Sequence, residues 1–390
     1  MHYDCTQAFE LNYDTMFQPY QVQVPGKLYL AGEYAVLEPG HPAILMAIDR
    51  YLTCQIRLSH QPQQGSFESD LASLGKVTYQ RDADGHIHLV SANDSKDWQY
   101  ILAAIETFEA LLVSKKRQVQ DYHLSFTSQM QADSGQKYGL GSSGAVTVAT
   151  MQALCHFYGW EIECPLIQFK LVAIAMAKTD SKSSLGDVAA NITGGMCLYR
   201  SLDRQWLNQR MQDPDFRIDQ ILGEKWPHFY LEPLFWPEKL SLHVGWTQSP
   251  ASSDQLVTQL KGSIQKDSPL YHDFLTKAQI CVQNLAQAIR QADLLTLQKE
   301  VSHYRHLLVK LDRSFQLNIE TPSLKRLIEV AHSYQFEAKS SGAGGGDCGI
   351  AIGSRNQARQ ALYQTWQQEG IQPLAVGLAP FRFSVKPFRK

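Results

Sequence analysis

Near the start of the chain, apolar and polar side chains alternate with a period of two. Val22, Val24, Leu28 and Leu30 fall on one face and Gln23, Lys27 and Tyr29 on the other, which predicts a strand with one buried side. Pro25-Gly26 sits inside this run. A proline cannot donate to a central ladder, so the pair predicts an edge strand or a bulge beside a ligand. Residues 43–48 and 51–58 predict two further strands. Residues 61–85 are polar and irregular, with short strands expected around Val77 and Ile87. At 98–113 the period changes: Ile101, Leu102, Ile105, Phe108 and Leu112 form one helical stripe. Residues 122–127 return to strand.

A glycine-rich turn then runs into an apolar stretch, 146–158, which predicts a buried helix. A second apolar helix is expected over 165–178, with proline near its start. A loop of small residues, 179–186, opens a short helix at Asp187-Val188-Ala189-Ala190, and 196–199 reads as a strand. Residues 201–237 mix Trp, Pro and charge without periodicity and read as a connector. Beyond them come a strand at 240–246 and a helix from 254 to 260. Amphipathic helices follow at 270–292, 294–311 and 323–334. The chain closes with strands at 336–339 and 348–352 around a second glycine loop, 341–346, then a helix at 357–368 and a strand at 376–385. Strands and helices are intermixed without a steady βα alternation. An α+β chain in two halves, divided near residue 200, fits this order, and 390 residues are too many for one ordinary core.

Composition changes this picture little. Hydrophobic residues make up 44% and charged residues 19%, an ordinary globular balance. Lys+Arg 36 against Asp+Glu 38 argues against nucleic acid as a partner bound by bulk charge. No run of about 20 apolar residues is long enough for a membrane span, and residues 1–18 lack the pattern of a signal peptide and read as an extension. The seven cysteines form no CxxC pair. That argues against a zinc site or a disulfide framework and for a reducing, cytoplasmic setting.

Chemistry concentrates in four places. Gly139-Leu140-Gly141-Ser142-Ser143-Gly144 precedes a helix, where unpaired amides and the dipole suit a phosphate. The stretch matches GxGxxG, but its approach segment, 131–137, is polar where a dinucleotide fold needs a strand. The partner motifs of a protein kinase and the GxxxxGK[ST] phosphate loop do not occur. Lys339-Ser340-Ser341-Gly342-Ala343-Gly344-Gly345-Gly346-Asp347-Cys348 lies between two short strands and predicts close backbone approach to a ligand. Pro25-Gly26-Lys27 followed by Gly32-Glu33-Tyr34-Ala35-Val36, and Ser184-Leu185-Gly186-Asp187, supply a cation and a carboxylate fit to face anionic oxygens.

These four pieces, in this order, resemble the GHMP kinase superfamily, and within it the phosphomevalonate kinase branch. The resemblance implies the two-domain GHMP kinase fold: an N-terminal ribosomal-protein-S5-like domain over 19–205 and a C-terminal ferredoxin-like domain over 206–390, with the site between them. It implies ATP and Mg2+ as cofactors and small molecules as partners, with 5-phosphomevalonate as the acceptor. On that basis Gly139, Leu140, Gly141, Ser142, Ser143 and Gly144 hold the ATP phosphates, with Ser142 or Ser143 on the metal. Lys27, Asp187 and Lys137 are the catalytic candidates. Lys27, Glu33, Ser252, Ser253, Ser341, Gly342, Ala343 and Gly344 are the candidates on the acceptor side. Two phosphorylated substrates demand extra positive charge, for which Lys339 and Arg305 are further candidates, although Arg305 reads first as a charge on a solvated helix face. The alternatives are a kinase of the same superfamily with an alcohol acceptor such as mevalonate, and a sensor that keeps the fold without catalysis. Ser252 and Ser253 have a second role open to them, as caps of the helix that follows.

Overall fold

The computed structural model describes residues 2–3, 10–70, 74–90, 98–179, 182–264, 268–383 and 385–386. Its first half is built on an eight-stranded sheet. The spine is one strand, Pro42–Leu58, where two had been expected. Ile, Leu, Met and Ala fill its first part, and no glycine or proline interrupts it after Pro42. It is long enough to serve different neighbours along its length. Tyr20–Ala31 runs antiparallel along one edge. On the other edge Met196–Arg200 pairs with its first part and Tyr122–Ser128 with its last. The sheet continues through Gln64–Ser69, Gly75–Arg81 and Ile87–Leu89.

Among the described residues Tyr20–Ala31 pairs only with Pro42–Leu58, so it is an edge strand, and its register shifts between Pro25 and Gly26. The bulge and edge expected from Pro25-Gly26 are both present. The consequence is local: past the bulge, the Lys27 amide donates to Leu140 O at 2.9 Å, which docks the first glycine loop against the edge strand.

Helices Gln99–Ser114, Ser142–Phe157, Pro165–Ala177 and Gly186–Thr193 pack together and against this sheet. Ser142–Phe157 is buried nearly all round, so its sequence shows little amphipathic contrast.

The second half has a four-stranded antiparallel sheet in the order Glu337–Ser340, Cys348–Ser354, Leu240–Trp246, Gln372–Leu374. Pro269–Gln291 and Leu294–Phe315 form a pair of long helices, and Pro322–Ser333 and Arg359–Gln368 complete the layer.

Three expectations are corrected. Residues 201–237 are not a plain connector. They hold helices Arg204–Met211 and Ile218–Gly223, the first capped by Asp203, whose carboxylate accepts from the Trp206 amide. They also hold strand Tyr230–Leu234, which pairs with Met196–Arg200. The first sheet therefore reaches past residue 206, where the second half had been expected to begin. The last segment, 376–385, is not one strand. After Gln372–Leu374 the chain crosses back to the first half, where the Ala379 amide donates to Ala47 O at 2.9 Å and Phe381 bridges Gly194. Finally, Cys164 is disulfide-bonded, while Cys54, Cys155, Cys197, Cys281 and Cys348 are free and buried. One link is not a framework, and the apolar core does not rest on it.

Candidate active site

The two halves meet at a cavity of about 390 Å³. The first half contributes Lys27, Lys137, Gly139, Gly141, Ser142 and Ser143, with Asp187 beside them. The second contributes Ser252, Ser253, Gly342, Ala343 and Asp347.

The first glycine loop enters its helix without a side-chain cap. Gly141 takes the cap position in a left-handed conformation, φ 82°, and no side chain bonds the first-turn amides. Ser142 and Ser143 are therefore not capping residues. They are the first residues of the helix, half-buried, and both line the cavity. The helix dipole and its unpaired amides are left for a ligand.

Lys27 reaches the loop from the edge strand. Its Nζ donates to Gly139 O at 3.1 Å and lies 5.5 Å from the Tyr29 ring centre. Among the described residues no carboxylate lies within ion-pair distance of it, and the Lys27 charge faces the cavity with Asp187 and Asp347 close enough to feel it. Asp187 approaches from the start of helix Gly186–Thr193. Its Oδ1 accepts from Ser183 Oγ and from the Val188 amide, each at 3.0 Å. Burial raises its pKa, opposed by Lys27 and by these two donors. A Cβ on Gly144 would sit 2.6 Å from Asp187 Oδ2, and one on Gly141 would sit 2.9 Å from Lys27 Cγ and 3.2 Å from Asp187 Cβ. Only glycine lets the loop lie this close to both.

Lys137 is exposed at the cavity mouth. Ser252 caps helix Ser253–Ser263 by accepting from the Gln255 amide, and it also lines the cavity, so both of its roles stand open. Gly342 and Ala343 line the cavity; Ser341 and Gly344 lie behind them. Ser341 is buried, with its hydroxyl bonded twice to the Tyr29 backbone. Gly344 backs onto Ile319, whose O would be 2.4 Å from a Cβ there.

Two of the expected cations are not in the cavity. Lys339 is wholly buried and forms an ion pair with Glu33, and its Nζ also donates to Ser340 O at 2.6 Å. Burial lowers its pKa, and Glu33 opposes the shift. Glu33 lines the cavity, with its Oε1 facing Lys339 and the Gly342 amide, the latter at 3.4 Å. Arg305 is held in a bidentate pair by Glu320, at 2.8 and 2.7 Å.

Asp347, Asn191 and Lys182 were not singled out from the sequence. Asp347 closes the late glycine loop. Its Oδ1 accepts from the Ala251 amide at 3.2 Å, and its Oδ2 would be 2.3 Å from a Cβ on Gly139. Burial raises its pKa. Its place after three glycines was the available signal. Asn191 donates to Pro25 O at 2.6 Å, behind the bulge. Lys182 lines the cavity and donates to Thr258 Oγ1 at 2.9 Å, across the boundary between halves.

Comparison with known proteins agrees with this geometry. Residues 99–195 match the family described as GHMP kinases N terminal domain, and residues 285–372 match GHMP kinases C terminal. The chain is 36% identical over 358 residues to a phosphomevalonate kinase of Streptomyces sp. (strain CL190), covering 90% of this chain and 94% of that one. The chain belongs to the GHMP kinase family. Among solved structures, a Lin0012 protein from Listeria innocua superposes with a TM-score of 0.84 at 32% identity, covering 93% of this chain and 99% of that one. Streptococcus pneumoniae phosphomevalonate kinase, in complex with phosphomevalonate and AMPPNP, superposes with a TM-score of 0.79 at 30% identity, covering 92% and 99%. As a GHMP kinase, the chain is an ATP-dependent phosphotransferase with the two-domain fold of that family. Among the described residues no helix is long and apolar enough to cross a membrane.

Proposed function

We propose that this protein transfers the γ-phosphoryl group of ATP to 5-phosphomevalonate, giving 5-diphosphomevalonate and ADP, in the cytoplasm. The observation that carries this is the uncapped start of helix Ser142–Phe157, with the unpaired Lys27 ammonium at its loop. The relatives that bind or are named for phosphomevalonate supply the acceptor.

Phosphoryl transfer needs positioning and charge stabilisation more than covalent help. The Gly139–Gly144 loop holds the ATP phosphates on its amides. Lys27 stabilises charge on the transferring group. The acceptor is a phosphate whose second pKa is near 6, so it is largely ionised at neutral pH and has little need of a base. Asp187 therefore acts mainly by orienting Lys27 and the acceptor. Lys137 and Lys182 supply positive charge at the mouth, where two anionic substrates must approach each other. Ser252, Ser253 and the Gly342-Ala343 backbone face the acceptor side.

Mg2+ takes oxygen donors. The hydroxyls of Ser142 and Ser143 and the Asp187 carboxylate, packed against the glycine loop, are such a set. The ion, when bound, offsets the negative charge of the phosphates.

Mass analysis of the acceptor after incubation with ATP tests this assignment: one added phosphoryl group on phosphomevalonate is expected. Phosphorylation of mevalonate or galactose in its place would move the chain to another branch of the family.

A further inference from the structure

Outside the cavity, among the described residues, one cluster of side chains has the composition of a metal site. It lies between the two long helices of the second half. Cys281 comes from Pro269–Gln291; Glu300 and His303, one turn apart, come from Leu294–Phe315. One ligand atom from each lies within 4.8 Å of the others. Cys281 and Glu300 are buried, and His303 is 47% exposed at its side chain, so the cluster opens to solvent on one side.

A second observation points to a missing partner. Glu300 is 7% exposed, and its Oε2 is fully buried with no hydrogen bond. The near neighbour of that oxygen is His303 Nδ1, at 3.4 Å. Its other oxygen, Oε1, accepts from Asn284 Nδ2 at 3.2 Å. Asn284 thus fixes the carboxylate by one oxygen and leaves the second aimed at Cys281 and His303. A buried carboxylate oxygen without a partner is costly, and a cation between the three groups removes that cost.

We infer that Cys281, Glu300 and His303 bind a zinc-type transition-metal cation. Thiolate, imidazole and carboxylate together select a borderline cation over Mg2+, which takes oxygen. Tetrahedral zinc with bonds of about 2.0–2.3 Å spaces its ligands about 3.3–3.7 Å apart. Closure from the observed spacing, within 4.8 Å, draws the three side chains together, the exposed His303 ring most freely, and water completes the fourth position. On binding, the Cys281 S–H gives its proton to solvent and the sulfur lone pair forms the S–metal bond, with no change of oxidation state. Thiolate and carboxylate balance the divalent charge. The nearby cation, Lys339, is already paired with Glu33. Asn284 serves as the positioning residue for the carboxylate. The ion would clip Pro269–Gln291 to Leu294–Phe315, the helix that backs strand Glu337–Ser340, which leads into the late glycine loop.

Titration of the full chain with Co2+, without nucleotide, reads this site through a thiolate-to-cobalt charge-transfer band. One equivalent is expected to develop the band. Cys281→Ser is expected to abolish it. His303→Ala, at an exposed position that leaves the fold intact, is expected to weaken cobalt binding at least tenfold. Phosphotransfer by both variants is expected to stay at the wild-type rate in buffer that contains Mg2+ but no transition metal. Absence of the band in the wild-type chain overturns the inference. So does a band that survives Cys281→Ser, or wild-type affinity in His303→Ala.

Discussion

Ser341 clasps the backbone of Tyr29: its hydroxyl accepts from the Tyr29 amide at 2.8 Å and donates to the Tyr29 carbonyl at 3.0 Å. The two residues are 312 positions apart and sit on opposite halves. The clasp holds the late glycine loop against the strand that carries Lys27. Ser341→Ala leaves both Tyr29 groups unbonded in a buried place, which costs about 1–3 kcal/mol. The expected outcome is a KM for the acceptor raised several-fold, with a smaller change in KM for ATP, measured by steady-state kinetics with each substrate varied.

Lys27 and Asp187 should separate in kinetics. Removing a charge that acts on the transition state costs roughly 10²–10³-fold in kcat, and Lys27→Ala is expected in that range. Asp187→Asn keeps size and can still accept from Ser183, so a loss of about tenfold is expected. Single-turnover rates at saturating ATP compare the two. The reverse order would return proton removal to Asp187.

Gly144 tests the packing of the loop. The Cβ introduced by Gly144→Ala meets the Asp187 carboxylate, and overpacking of this kind costs about 1–3 kcal/mol. The variant is expected to fold and to lose at least tenfold in kcat, because Asp187 must move. Circular dichroism together with the kinetic assay distinguishes this from unfolding.

Glu33 and Lys339 form a buried pair that joins the halves. Breaking such a pair by one partner costs about 3–5 kcal/mol, while replacing both is tolerated better. Lys339→Met is therefore expected to lower stability by that amount in urea unfolding, and Glu33→Gln combined with Lys339→Met to recover part of it.

His243 is buried, with its Nδ1 2.9 Å from Tyr363 Oη, and burial lowers its pKa to about 4. An unfolded histidine titrates near 6.5. The unfolded chain therefore binds this proton first, and stability from the neutral imidazole is full above pH 6.5 and lost as pH falls towards 4. A decline of about 3 kcal/mol is expected across that window. His243→Gln should flatten it in unfolding curves recorded at several pH values.

Much of the site was legible because its residue types have few other uses in their places. A lysine on the polar face past a bulge, a glycine loop opening a buried helix and an aspartate after a small-residue loop all meet at the cavity. What could not be read depended on distant partners. Lys339 looked like a cation for substrate, yet its charge is spent on Glu33, 306 positions away. The helices of 201–237 were hidden because their burial is aromatic and long-range: Trp226 packs at a tilt against Trp206, and Lys170 donates to Leu222 O and Glu224 O. The strands 43–48 and 51–58 looked separate because Asp49-Arg50 breaks the apolar run. That break marks where the single strand changes partners, not where it ends.

ADP release coupled to acceptor tests the assigned activity most directly. With ATP, Mg2+ and phosphomevalonate, turnover well above the ATP-only rate is expected, with mevalonate at least a hundredfold poorer in kcat/KM. Turnover no faster than with ATP alone, or mevalonate preferred over phosphomevalonate, would contradict it.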